Sequence, residues 1–211
     1  MNSLNRRIRR WRFKWSIKRL RKNNFCIIAS NCVGSKIYQI LGIRYNTPFV
    51  GLFVKPDCFV KLASNFEHYM RQPLRFEKRS KYEAYNSSQE SGTPYPLGLL
   101  DDVEIHFLHY QNEEIAALKW AERSTRLDTE RLYFIMVADE NTCPKTIHKF
   151  IQTADAPHVC FHNKNEIHLP GTIYLPPVNG KMGNLYSKYE RFVGHFDFTA
   201  WIQQAYYSRE K

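Results

Sequence analysis

The chain has 211 residues, 43% of them apolar and 15% aromatic, and its 31 Lys and Arg against 20 Asp and Glu give a formal charge of +11. That composition fits one ordinary globular core and excludes wholesale disorder. The longest apolar run, 132–138, is far too short to span a bilayer, and no apolar stretch follows the basic N-terminus as a secretory signal requires, so the expectation is a cytoplasmic protein.

Ten of the basic residues fall within 1–24 with no acid among them, so the remaining 21 nearly balance the 20 acids of 25–211. The chain therefore divides into a basic arm, 1–24, and a nearly neutral domain, 25–211. In the arm Leu4, Ile8, Trp11 and Trp15 form one helical stripe, while Phe13, Ile17 and Leu20 gather on a second face. Tryptophan beside arginine on a short amphipathic helix suits an anionic membrane surface, which is the expected partner. A structural arm packed on its own domain ranks second. Nucleic acid ranks last, because the domain offers no second basic patch.

An apolar run at 25–29 predicts a strand, followed by a polar loop and a short helix stopped at Gly42. Pro56 opens a helical pattern that lasts to Pro73. The charged, Ser-rich stretch 78–94 reads as a mobile loop. A strand is predicted over 103–110, an Ala-rich helix over 113–127, and a strand covered on both faces over 132–138. A helix over 144–153, strands at 158–161 and 172–175, and a closing helix at 198–207 complete the pattern. Strands alternating with helices predict an α/β fold, a layered and largely parallel sheet with flanking helices.

Several ordered motifs carry a family resemblance. They are Ser30-Asn31-Cys32-Val33-Gly34, Leu41-Gly42 with the run 45–53, Tyr95-Pro96-Leu97-Gly98, the run 102–110, and Trp120 with Arg123. Together they make roughly 24–161 similar to a bacterial family of unknown biochemical function whose members are often labelled exopolysaccharide or capsular polysaccharide biosynthesis proteins. Members typically show Asn-Asn-Cys-Trp-Gly-Gly in the first loop, where this chain has Val33 for the tryptophan and Ser35 for the second glycine. The resemblance implies a role in making a surface polysaccharide and supplies no reaction.

The residues themselves offer candidates. Cys32, in a strand-to-helix loop, is placed for a helix N-terminus to lower its pKa, and His109 near the end of its strand is the better placed of two histidines to act as its base. His106, on the opposite strand face, is read as buried or hydrogen-bonded within the layer and kept as a substrate-binding candidate, and a core reading competes for Cys32 and both histidines. Asp139 follows a buried strand at its carboxyl end, where acids serve ribose hydroxyls, a metal or a base, with a solvated loop acid as the competing reading. Ser30, Asn31 and the backbone beyond Gly34 could cradle a phosphate. Asn46 lies in a turn whose plainer role is punctuation. Trp120 and Arg123, one helical turn apart, could stack on a sugar or clamp an anion, with ordinary packing as the competing role.

The five cysteines include no CxxC pair, and the histidines lack zinc spacing, so reduced thiols and no metal site are expected, and no cofactor is indicated. No Asp-x-Asp run, Walker loop, GxSxG elbow or GxGxxG fingerprint occurs. The expectation is a transferase acting on a lipid-linked or nucleotide-linked sugar, through either thiol-dependent acyl transfer at Cys32 or metal-independent glycosyl transfer with Asp139 or His109 as base. A non-catalytic sugar-phosphate-binding or assembly protein of the same pathway is the alternative.

Overall fold

The computed structural model describes residues 13–21, 24–86 and 94–209. Positions 1–12 and 22–23 of the basic arm, and 87–93 of the expected mobile loop, lie outside the described residues. After a helix at 13–20 (α1) comes strand β1 (Cys26–Ala29), then α2 (Val33–Leu41), α3 (Pro56–Ser64) and α4 (Phe66–Arg71). A small antiparallel sheet follows from β2 (Arg75–Glu77), a helical turn at 83–86 (α5), β3 (Leu97–Leu100) and β4 (Val103–His106). Next are α6 (Glu113–Ser124), β5 (Leu132–Val137), α7 (Pro144–Thr153), β6 (His158–His162), β7 (Thr172–Tyr174), α8 (Glu190–His195) and α9 (Phe198–Arg209).

Among the described residues, β1, β5, β6 and β7 lie side by side in that order, every pair parallel. Alternation along the strands divides the core into two layers. Cys26, Ile28, Phe134 and Met136 face one side, where α3, α4, α6 and α7 cover them through Phe59, Phe66, Trp120 and Phe150. Ile27, Ala29, Tyr133 and Ile135 face the other, covered by α1, α2, α8 and α9 through Leu20, Ile37, Phe192 and Phe198. This is the predicted α/β layered fold. All six β5 residues are buried, as its unbroken apolar run requires. Among the described residues no helix is long and apolar enough to cross a membrane.

Local chemistry sets the element ends. Gly42 takes φ 64°, a left-handed conformation open to glycine, and its N–H caps α2 by donating to the carbonyls of Gln39 and Tyr38. The Asn112 side chain accepts from Ile115 N–H at 2.9 Å and starts α6. The helical pattern from Pro56 is broken at Asn65, whose φ of -155° is extended, so two helices stand where one is predicted.

The strand expected over 103–110 ends at His106. Residues 107–110 turn instead, with Tyr110 N–H donating to Phe107 O at 3.1 Å. Strands β2 and β3 are additions to the sequence reading. The first half of the expected mobile loop is fastened, because buried Glu104 accepts from Ser80 Oγ at 2.6 Å and from Lys81 N–H at 2.7 Å, and Asn86 closes back on Ser80. Each such bond to a carboxylate contributes about 1.5–3 kcal/mol.

The segment 46–54 joins the two sheets. Asn46 holds its start near Cys26, Val54 N–H donates to Ser30 O at 2.8 Å at the end of β1, and Phe53 exchanges both backbone bonds with His106. It thereby covers the edge that β1 would otherwise expose.

Helix α2 approaches β1 closely at Gly34, where an added Cβ would stand 2.8 Å from Ala29 Cβ and 3.3 Å from Ile27 Cγ2. Alanine is the better helix former by about 1 kcal/mol. Gly34→Ala nevertheless lowers stability by a net ~1–2 kcal/mol in urea titration, because overpacking outweighs propensity. A stabilised variant would contradict this packing account.

Candidate functional site

Helix α2 follows β1 on one face of the sheet, and α7 follows β5 on the other. Adjacent parallel strands whose connections leave on opposite faces open a crevice at their carboxyl ends, which is where open α/β sheets bind ligands. Asn31 and Cys32 form one lip of this crevice and Asp139 the other.

Ser30 stitches the crevice floor. It is buried, donates its N–H to Ile135 O at 2.9 Å and accepts from Val137 N–H on Oγ at 2.9 Å. Asn31 Oδ1 accepts from Val33 N–H at 3.1 Å, shaping the turn into α2. Gly34, which precedes the backbone that could cradle a phosphate, has a packing reason in Ala29.

Cys32 is the half-buried N-cap of α2, and its side chain makes no capping bond. Burial pushes its thiol above the ordinary value, the reverse of the lowered pKa expected from the helix terminus. Burial disfavours the thiolate, so the protonated thiol is the favoured form.

His109 is exposed on the 107–110 turn, and its N–H donates to Gly51 O at 3.1 Å. Its neighbour Tyr110 donates its hydroxyl to Val50 O at 2.6 Å and accepts from Arg123 Nη1 at 2.5 Å. Arg123 also donates to Val50 O at 3.4 Å and lies 5.7 Å from the Tyr45 ring centroid. Burial raises the Tyr110 phenol, Arg123 pulls it back, and a nearby Cys32 thiolate would push it up again. Cys32, Tyr110 and Arg123 thus share one electrostatic neighbourhood.

Asp139 is fixed through one oxygen. Oδ1 accepts from Thr142 Oγ at 2.7 Å and from Asn141 N–H at 3.1 Å, while Oδ2 takes no part in these bonds. Burial first, and then the Asp139 charge, push the Tyr85 phenol up to about 12. The Tyr85 ring lies 4.7 Å from that of His106 and 5.8 Å from Phe53. Asp139 thereby lies in the electrostatic neighbourhood of Tyr85, whose ring touches segment 46–54 at Phe53. Among the described residues no hydrogen bond or ion pair joins Cys32, His109 and Asp139 to one another.

Three other candidates are structural. Asn46 accepts from the Tyr38 hydroxyl, donates to Phe25 O, and accepts on its own carbonyl from Cys26 Sγ at 3.0 Å. Trp120 is 8% exposed and packs edge-on to Phe49 at 5.2 Å and to Phe107 at 6.0 Å, so it does not offer a stacking face to a sugar. His106 is fully buried as expected of a layer residue, with Nδ1 sharing a hydrogen bond with the Tyr95 hydroxyl at 3.1 Å.

Tyr85 and Tyr110 escaped the sequence reading. Tyr110 closes the 102–110 motif and had that one signal, while Tyr85 sat in the stretch read as a loop. A separate cavity of about 560 Å³ opens at the amino end of β5 among Phe66, Arg131 and Asp155, away from the crevice. Among the described residues no group of His, Cys, Asp and Glu is arranged to hold a metal.

An uncharacterized protein of Haemophilus influenzae is 29% identical over 192 residues, which cover 91% of this chain and 84% of that protein. The domain of unknown function DUF1919 matches residues 4–203, a span that takes in both lips of the crevice, segment 46–54 and Arg123. With that match running over almost its whole length, the chain belongs to the DUF1919 family.

Proposed function

We propose that this protein is a transferase of surface-polysaccharide biosynthesis that acts, at the cytosolic face of the membrane, on a sugar carried by a phosphate. The observation that carries the reading is the strand topology, in which the connections after adjacent β1 and β5 leave on opposite faces, with the half-buried Asp139 carboxylate fixed just past the carboxyl end of β5. The motifs that resemble polysaccharide-biosynthesis proteins add support, since Cys32, the 50–53 segment, His106, Tyr110 and Arg123 border the same region.

The roles follow from charge and proton accounting. Asp139 Oδ2 takes the proton of an acceptor hydroxyl, the hydroxyl oxygen bonds to the sugar's anomeric carbon, and the bond from that carbon to the phosphate oxygen breaks. The departing phosphate keeps the electron pair, and Arg123, whose planar fork has donors beyond the Nη1 given to Tyr110, holds the developing charge. Glycosyl transfer is favoured over acyl transfer through Cys32 because burial keeps that thiol protonated.

Purified full-length protein is incubated with nucleotide-linked and lipid-linked sugar donors and polyol or glycan acceptors. Asp139→Asn lowers turnover at least about a hundredfold, the usual contribution of a general base, while Cys32→Ser leaves it within a few-fold. Donor binding without turnover in the unaltered protein would favour a binding or assembly role instead. Loss of activity confined to Cys32→Ser would restore the thiol route.

A further inference from the structure

Helix α1 has two chemically distinct faces. Inward, Leu20 is fully buried, the Phe13 ring meets Phe198 edge-on at 5.7 Å, Ile17 packs on the same core, and Ser16 O accepts from Gln203 Nε2 at 3.5 Å. Arg21 Nε donates to Leu41 O at 2.5 Å and fastens the end of the helix. Outward, Lys14, Trp15, Lys18 and Arg19 are all exposed, at the i, i+1, i+4 and i+5 spacing of a single helix face.

Trp15 is 53% exposed, and the Arg19 guanidinium lies 5.7 Å from its ring centroid. Ordinary docking onto the domain accounts for the inner face and leaves an indole and three cations held together on the outer one. Of the stripe expected from sequence, Leu4, Ile8 and Trp11 lie outside the described residues, and Trp15 remains in the open.

We infer that this outer face of α1 is a docking surface for an anionic lipid bilayer. Charge complementarity selects the occupant: five further arginines precede Phe13, and no acid occurs anywhere in 1–24. Each basic residue near such a surface adds about 1 kcal/mol of attraction, or roughly fivefold in affinity. The indole supplies what charge alone does not, an amphipathic ring suited to the headgroup layer. Because α1 packs on the core through its inner face, its exposed cations and indole lie on the same outer face before any contact with lipid, so less ordering is needed on binding. A nucleic acid would be better served by a basic groove continuing across the domain, and the domain is nearly neutral.

The test is flotation of the full-length protein with phosphatidylcholine vesicles, with and without phosphatidylglycerol, beside a competition with single-stranded and duplex DNA. The protein is expected to float with the anionic vesicles only. The triple variant Lys14→Gln, Lys18→Gln, Arg19→Gln weakens partitioning roughly a hundredfold, and Trp15→Ser weakens it with no change in thermal midpoint. Absence of flotation, equal partitioning of the unaltered protein and the triple variant, or DNA displacing the vesicles at lower concentration each overturns the inference. No substrate is involved, so such a failure removes only the membrane-face placement from the proposed function and leaves the transfer reaction to its own assay.

Discussion

Replacing Trp120 with alanine lowers the free energy of unfolding by about 3–5 kcal/mol, the usual cost of emptying a buried tryptophan site. Helix α6 buries only Ala116 and Trp120, so the indole is the main attachment of that helix to the core. Phe49, within the segment that covers β1, and Phe107, at the start of the 107–110 turn, both press on the ring. Removing it opens a cavity at the junction of all three elements and loosens Arg123, one turn further along α6. Urea titration reads the change as a shift in midpoint at nearly constant slope. Trp120→Phe, which refills most of the volume, recovers more than half of the loss. A sugar-stacking tryptophan would behave differently: its alanine variant would unfold within about 1 kcal/mol of the unaltered protein and lose ligand affinity instead.

The contrast at Trp120 shows where the sequence is legible. Period and punctuation identify β5 from six apolar residues, the end of α2 from Gly42, and the start of α6 from Asn112, because each signal is local. Cys32 and Asp139 are placed at the carboxyl edge of the sheet for the same reason, since each follows a buried strand. Facing is not local. Ser30, Asn46 and Trp120 carry the chemistry of ligand contacts, and only the positions of Val137, Tyr38 and Phe107 turn them toward structure.

Strand β3 shows a different limit. Gly98 sits inside a four-residue strand for a reason supplied by distant residues, because a Cβ there would stand 2.6 Å from Phe107 Cε2 and 2.8 Å from Leu74 Cδ1. The Asp101-Asp102 pair did carry a local signal, a two-residue hairpin turn, and Asp101 takes the left-handed φ of 52° that such turns require. Tyr85 and His106 meet from segments about twenty residues apart, a distance that no local periodicity spans.

The buried histidine also makes stability depend on pH. His106 is fully buried and enclosed by the rings of Phe53, Tyr85 and Tyr95, so burial pushes its pKa down to about 4, against a smaller upward pull from Glu104, whose Oε2 lies 3.7 Å from Nε2. An unfolded histidine titrates near 6.5. Between these values the unfolded chain binds the proton and the folded one does not, so protonation favours unfolding. The stabilising contribution is therefore complete above about pH 6.5, declines as pH falls toward 4, and is lost below that. A separation of this size corresponds to roughly 3 kcal/mol. His162, whose pKa burial also lowers, adds a loss of the same sign. His106→Gln separates the two: its unfolding free energy at pH 7 is lower, because the Tyr95 bond and the ring packing are altered, yet it falls less between pH 6.5 and 4.5 than that of the unaltered protein. Parallel pH profiles for the two proteins would show that His106 takes its proton equally well folded and unfolded, with Glu104 fully offsetting burial.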